Sequence, residues 1–134
     1  MSRTIINEAV ATFARAIDYG FVSETIPQSL AGGVKYPYIL FLQPQGKHDR
    51  AKRITTYPCT FYFVGDAGKR DVNELFDELQ QHAISLNHFI GLRCKKYLYT
   101  DRITTCDLIT NFDNSTARAI KATFNIYCYD ECEE

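Results

Sequence analysis

Tryptophan is absent from the 134 residues, and so is any excess of charge: the formal net charge is -1. A chain this close to neutral has no global basic field to draw in nucleic acid or an anionic membrane. No stretch approaches the ~20 apolar residues of a membrane span. The opening Met1-Ser2-Arg3-Thr4-Ile5-Ile6-Asn7-Glu8 lacks the apolar centre of a secretory signal, because Asn7 and Glu8 interrupt it. Synthesis in the cytosol is the expectation. The catalytic signatures are missing too. There is no G-x-S-x-G elbow, no phosphate-binding Walker loop and no H-E-x-x-H helix. Gly65-Asp66-Ala67-Gly68-Lys69 ends in Gly-Lys but lacks the leading glycine spacing and the following Ser or Thr.

What is present describes a globular domain. Hydrophobic residues make up 46%, enough for a chain of this length to build a core without covalent staples. One domain is expected. The five cysteines (Cys59, Cys94, Cys106, Cys128 and Cys132) are odd in number and scattered. Without an export signal they read as free thiols in a reducing compartment, and those in strands act as small hydrophobes.

The order of elements is the most informative feature. Ile6, Ala9, Val10, Phe13 and Ile17 share one face of a helix over 4–18, with Ser2 or Thr4 placed to cap it and Gly20 to stop it. Residues 20–33 read as a loop from which Ile26 and Leu30 tuck onto the core. The run from Val34 to Leu42 is almost continuously apolar after Lys35. That predicts a strand covered on both faces, by its own chain or by a neighbouring subunit, with Pro37 at its start, an edge or a bulge. Residues 43–53 form an exposed loop or hairpin arm. Ile54–Val64 is a second strand, with Tyr57, Phe61 and Phe63 on one side and Ile54, Tyr62 and Val64 on the other, and Gly65–Gly68 is a turn. Asp71 caps a helix over 72–88, and Glu74 stands where a capping box requires it. Its stripe is Val72, Leu75, Phe76, Leu79, Ala83, Leu86 and Ile90, and Gly91 is placed to end it. Strands over 93–99, 103–110 and 118–129 follow, and 130–134 is an acidic tail. The predicted fold class is α+β, a largely antiparallel sheet with two helices in the order α-β-β-α-β-β-β.

Few residues suggest chemistry. His82 and His88 are six apart, not the three or four that place two metal ligands on one helix face. Cys94 completes a His-His-Cys set only if the fold brings it close. Cys128 and Cys132 form a C-x₃-C pair with no second pair to make a structural zinc site. A cysteine nucleophile, Cys59 or Cys94, needs a histidine base that the sequence does not assign. No catalytic residue, cofactor or metal is therefore expected. The one charge cluster is Lys47, Arg50, Lys52 and Arg53, with Asp49 among them. It suits phosphates, an acidic partner surface such as the 130–134 tail of another copy, or simply solvent. Tyr36, Tyr38, Tyr97, Tyr99, Tyr127 and Tyr129 stand near strand ends, where aromatics build interfaces.

The apolar run Tyr36–Leu42, the Asp71–Ile90 helix and the closing strand Ala119–Tyr127, taken in this order, resemble the tail-terminator and neck proteins of tailed bacteriophages. The resemblance covers most of the chain as an order of elements. It implies a non-enzymatic subunit closing into a homo-oligomeric ring, a hexamer or dodecamer, at the head-proximal end of a tail. It implies partners among neck, portal and tail proteins, possible passage of DNA through the channel, and a place in the virion rather than at a membrane. On this reading Lys47, Arg50, Lys52, Arg53, Tyr36 and Tyr38 are the interface or phosphate-contact candidates. The competing reading is a small nucleic-acid-binding domain using the basic 47–53 loop.

Overall fold

A computed structural model describes residues 2–23, 36–42, 45–93, 98–103, 106–112 and 116–129. Helix α1 (Ser2–Ala16) is followed by β1 (Gly20–Ser23), β2 (Tyr38–Leu42), β3 (Lys47–Asp49) and β4 (Ile54–Asp66). Helix α2 (Val72–Arg93) precedes β5 (Leu98–Thr100), β6 (Cys106–Thr110) and β7 (Ala117–Tyr129). The strands form one seven-stranded sheet, antiparallel except for the β1–β2 pair. The class is α+β, as the sequence predicts.

The sheet is organised by β4 and β7, thirteen residues each, paired along their whole length from Ile54–Tyr129 to Asp66–Ala117. At ~3.4 Å per residue this ribbon is about 40 Å long. Short strands flank it in pairs. On the β4 side, β3 takes Ile54–Thr56 and β2 takes Thr60–Val64. On the β7 side, β6 takes Arg118–Ala122 and β5 takes Ile126–Cys128.

Pro58 lies in β4 between the stretches that β3 and β2 pair. Its partner on β7 is Asn125, whose carbonyl accepts the Asp101 amide at 3.1 Å and so points away from β4. Residues facing each other across an antiparallel pair direct their backbone groups alike, so the Pro58 nitrogen also faces outward, into the gap. The missing N–H therefore costs no ladder hydrogen bond with β7.

Alternation along the two long strands decides what each face carries. Tyr57, Cys59, Phe61, Phe63, Ile120, Ala122, Phe124, Ile126 and Cys128 point to the helix-covered face, and all are buried. There they meet Ile6, Val10 and Phe13 of α1 and Leu75, Leu79, Leu86 and Ile90 of α2. Three rings stack across three strands: Phe41 to Phe61 at 4.7 Å and Phe61 to Phe124 at 5.2 Å. The opposite face holds a smaller buried cluster of Tyr38, Leu40, Val64, Ala117 and Ala119. Strand β2 is thus buried on both faces, as its unbroken apolar run predicts.

Local details correct four expectations. Helix α1 ends in a Schellman motif: the Tyr19 amide donates to the Ala14 carbonyl at 2.8 Å and the Asp18 amide to the Arg15 carbonyl at 3.2 Å. The left-handed residue is Asp18 (φ 61), not Gly20. An aspartate tolerates this conformation better than most residues do, and it frees Gly20 to begin a strand. That strand, β1, lies within the expected 20–33 loop, where four residues carry too little periodicity to be read. It pairs parallel with β2, and the Gly20 amide donates to the Pro37 carbonyl at 3.0 Å. The turn expected at 65–68 starts later, because Gly65 and Asp66 still pair with Arg118 and Ala117. Helix α2 runs through Gly91 to Arg93, since Leu86, Phe89 and Ile90 keep its apolar stripe against the core. Ile26, Leu30, Cys94, Tyr97 with the rest of 94–97 in the expected 93–99 strand, Cys132 and the 130–134 tail lie outside the described residues.

Candidate interaction surfaces

The basic segment resolves into a tight β3–β4 hairpin. Lys47, His48 and Asp49 pair with Thr56, Thr55 and Ile54, so of the two predicted forms the hairpin is the one present. The Asp49 carboxylate organises the turn by accepting the Ala51 and Lys52 amides at 3.0 and 3.2 Å. Arg53 closes it with φ 56, in the left-handed region. Gly46 stands at the entry, where a Cβ would come within 2.8 Å of the Tyr57 ring. Lys47, Arg50, Lys52 and Arg53 are all exposed. The hairpin therefore presents its cations at one lateral edge of the sheet.

The tyrosines singled out beside them are placed differently. Tyr38 is 0% exposed, packed among Leu40, Val64, Ala117 and Ala119, and Tyr36 stacks on it at 5.7 Å while half-buried. Tyr38 is a core residue of this chain and offers no surface to a neighbour. The candidate set is thus divided: four cations gather on one hairpin, and the two tyrosines sit on and beside β2.

A second surface, not singled out as a site from sequence, lies at the opposite lateral edge. Tyr99 on β5 stacks on Tyr127 of β7 at 4.6 Å and 18°, with Tyr129 at 5.8 Å. Tyr99 is 42% exposed and Tyr129 38%. Just past β5, the Asp101 carboxylate accepts the Tyr127 hydroxyl at 3.0 and 3.1 Å and the Asn125 side-chain amide at 3.0 Å. The Asp101 carbonyl accepts the Asn87 side-chain amide from α2 at 2.7 Å, so this acid is fixed from two elements, β7 and α2. Partial desolvation raises the Tyr99 pKa, and Tyr129, Tyr127 and Asp101 nearby raise it further. The sequence signal was the recurrence of tyrosine at alternate positions, Tyr97 and Tyr99, then Tyr127 and Tyr129. What could not be read was the register that places Tyr99 beside Tyr127.

Two further features have structural explanations. A shallow open groove of about 180 Å³ is lined by Asn87, His88, Gly91, Leu92, Thr100 and Arg102. It is too small and too exposed to enclose a small molecule. Tyr19 is buried beneath α2 and donates its hydroxyl to Glu78 at 3.5 Å, and Glu78 also pairs with Arg70 at 3.3 Å. Burial raises the Tyr19 pKa, and the Glu78 carboxylate raises it further.

The remaining chemical candidates stay apart. His82, midway along α2, packs edge-on against Tyr19 at 5.0 Å, while His88 lines the groove towards the C-terminal end of the helix. Burial, with a smaller contribution from nearby Cys128, pushes the Cys59 thiol up to about 12, the reverse of an activated nucleophile. Among the described residues, no group of three or more His, Cys, Asp or Glu can hold a metal ion. Nor is any described helix long and apolar enough to cross a membrane. No protein-family model matches the chain, and no curated protein matches it.

Proposed function

We propose that the protein is a non-enzymatic structural subunit that closes into a homo-oligomeric ring in the neck or tail of a tailed bacteriophage, terminating the tail or joining it to the head. The observation that carries the reading is the presence of unlike lateral edges on one sheet. The β3 edge is cationic, the β5 edge is aromatic with Asp101 and Arg102 side by side, and no described strand pairs with the outer side of either. A head-to-tail interface needs two different surfaces on opposite sides of a subunit, and a fixed rotation between copies then closes a ring. The order of elements, with its paired helices and long closing strand, supports the same reading. Native mass spectrometry with negative-stain imaging tests it. A closed ring, hexamer or dodecamer, is expected. A chain that remains monomeric at every concentration overturns it.

A further inference from the structure

The cations and the tyrosines meet on one face of one chain. Ile126 and Cys128 turn into the helix-covered core, so Asn125, Tyr127 and Tyr129, which alternate with them, stand on the helix-free face. Residues opposite each other across a ladder share a face. Lys47, Thr56, Tyr127 and Tyr99 therefore form one row on the helix-free face. Strands stand ~4.8 Å apart, so the row spans about 14 Å. In the next row Tyr129 is opposite Ile54, and Arg53 adjoins Ile54 in sequence. The buried cluster of this face, Tyr38 to Ala119, lies at the other end of the β4–β7 ribbon. At this end Tyr99, Tyr129, Pro58 and Lys47 are all exposed.

The exposed groups are of two kinds. Tyr99 gives one ring face to Tyr127 at 4.6 Å and, at the edge of the sheet, stays 42% exposed; Tyr129 is 38% exposed. The Tyr127 hydroxyl is tied to Asp101, which holds the stack in place. Cations stand on both flanks of these rings: Lys47, Arg50, Lys52 and Arg53 on the hairpin side and Arg102 on the other, all exposed. The described carboxylates on the patch, Asp49 and Asp101, are engaged by amides and a hydroxyl of their own chain. Flat, fixed, accessible rings bordered by cations suit a phosphate chain whose bases are unpaired, because each base can stack on a ring while its phosphate meets a cation. A duplex keeps its bases stacked on one another and can use the cations alone. We infer that this end of the helix-free face binds single-stranded nucleic acid, with bases stacked on Tyr99 and Tyr129 and the backbone lying along Lys47, Arg50, Lys52 and Arg102. The site is complete within one chain, so it stands or falls separately from the ring reading.

Titration of the full chain with a fluorescent single-stranded oligonucleotide of mixed sequence, about a dozen nucleotides long, tests it. The same strand in a duplex and inorganic polyphosphate are the comparisons. The single strand is expected to bind about tenfold more tightly than either, since only it can stack. The chain has no tryptophan, so stacking is also read as quenching of its tyrosine emission. Arg50→Ser with Lys52→Ser should make the slope of log affinity against log salt shallower by about 1.4. Tyr99→Leu keeps an apolar side chain but loses the flat ring, and should weaken binding at least about fivefold, while Tyr99→Phe binds as the wild type does. Asp130, Glu131, Glu133 and Glu134 follow Tyr129 in sequence and oppose phosphates, so their replacement by Asn and Gln should tighten binding.

A wild-type chain that binds no single strand at low salt overturns the inference. Equal binding of single strand, duplex and polyphosphate overturns it too, because the rings then play no part. So does a Tyr99→Leu variant with wild-type circular dichroism and wild-type affinity. Should Tyr99→Leu fail to fold, Tyr129→Leu, at the last residue of β7, gives the same reading from the second ring. Ring formation in native mass spectrometry bears on the ring reading alone.

Discussion

Replacing Phe61 with alanine strikes the centre of the fold. Phe61 is 0% exposed, sits on β4 between β2 and β7, and stacks on Phe41 at 4.7 Å and Phe124 at 5.2 Å. Removing a buried phenylalanine ring costs about 3–5 kcal/mol. Two stacked neighbours, each worth ~0.5–1.5 kcal/mol beyond area burial, place this site in the upper half of that range, at about 4 kcal/mol. The strands on both sides are held by ladder hydrogen bonds, so the cavity has little freedom to collapse. With a urea slope of ~1.5 kcal/mol per molar, the unfolding midpoint falls by roughly 2.7 M. Domains are stable by only ~5–15 kcal/mol, so the variant stands near the threshold of folding. Phe61→Leu keeps most of the volume but loses both ring contacts, at about 1–2 kcal/mol, and gives a second point on the same scale. Leu92→Ala, at a side chain 60% exposed, is the control and should cost under ~0.5 kcal/mol. Equilibrium urea titration followed by circular dichroism measures all three. A Phe61→Ala cost no greater than that of Leu92→Ala would refute the claim that the three-ring stack organises the core.

Other expectations follow from single contacts. Gly65→Ala brings a Cβ to 2.8 Å from the Leu75 Cδ1, under the first turn of α2. Because Leu75 is itself buried, urea titration should show a loss of about 1–3 kcal/mol; an unchanged midpoint would mean the helix can lift freely. Asp71→Ala removes the carboxylate that accepts the Asn73 amide at 3.0 Å, and should cost about 0.5–2 kcal/mol in the same assay. Cys59 should alkylate far more slowly than half-exposed Cys106 at neutral pH, a difference that mass spectrometry reads directly and that urea should erase. The same burial makes stability pH-dependent. The Cys59 contribution is fully present below the ordinary thiol value of 9.0 and is lost as pH rises towards about 12, because the unfolded thiol ionises first. Cys59→Ser should flatten that alkaline decline; a decline of unchanged steepness counts against the assignment.

Much of the fold was legible because periodicity survives wherever a face is buried. The stripe of α2 and the alternation of β4 and β7 predict the observed buried sets almost residue for residue. Strand β2 announces its double burial by an unbroken apolar run. The losses fall where geometry is set by pairing rather than pattern. Four residues of β1 become a strand because β2 offers an edge, and the helix stop falls on Asp18 because backbone hydrogen bonds place it there. The basic cluster was visible as composition, and its hairpin form depends on one carboxylate turned back onto two amides. Tyr38 shows the opposite failure. A polar-tipped aromatic near a strand end suggests a surface, yet its ring fills the second core. The β5 edge needed the register of two strands distant in sequence, which composition cannot supply.

The full-length pairing of β4 with β7 also governs when the protein can take shape. Every rung from Ile54–Tyr129 to Asp66–Ala117 joins residues separated by α2, β5 and β6. Contacts so remote in sequence carry a heavy entropic toll before they repay it, and they slow folding. During synthesis, β4 emerges with its apolar face complete and its central partner still unmade. Only the last described strand supplies that partner, so the nascent chain holds a long, unpaired, aromatic-rich edge until translation of these residues is nearly over, and it is in that interval that the chain is most exposed to aggregation.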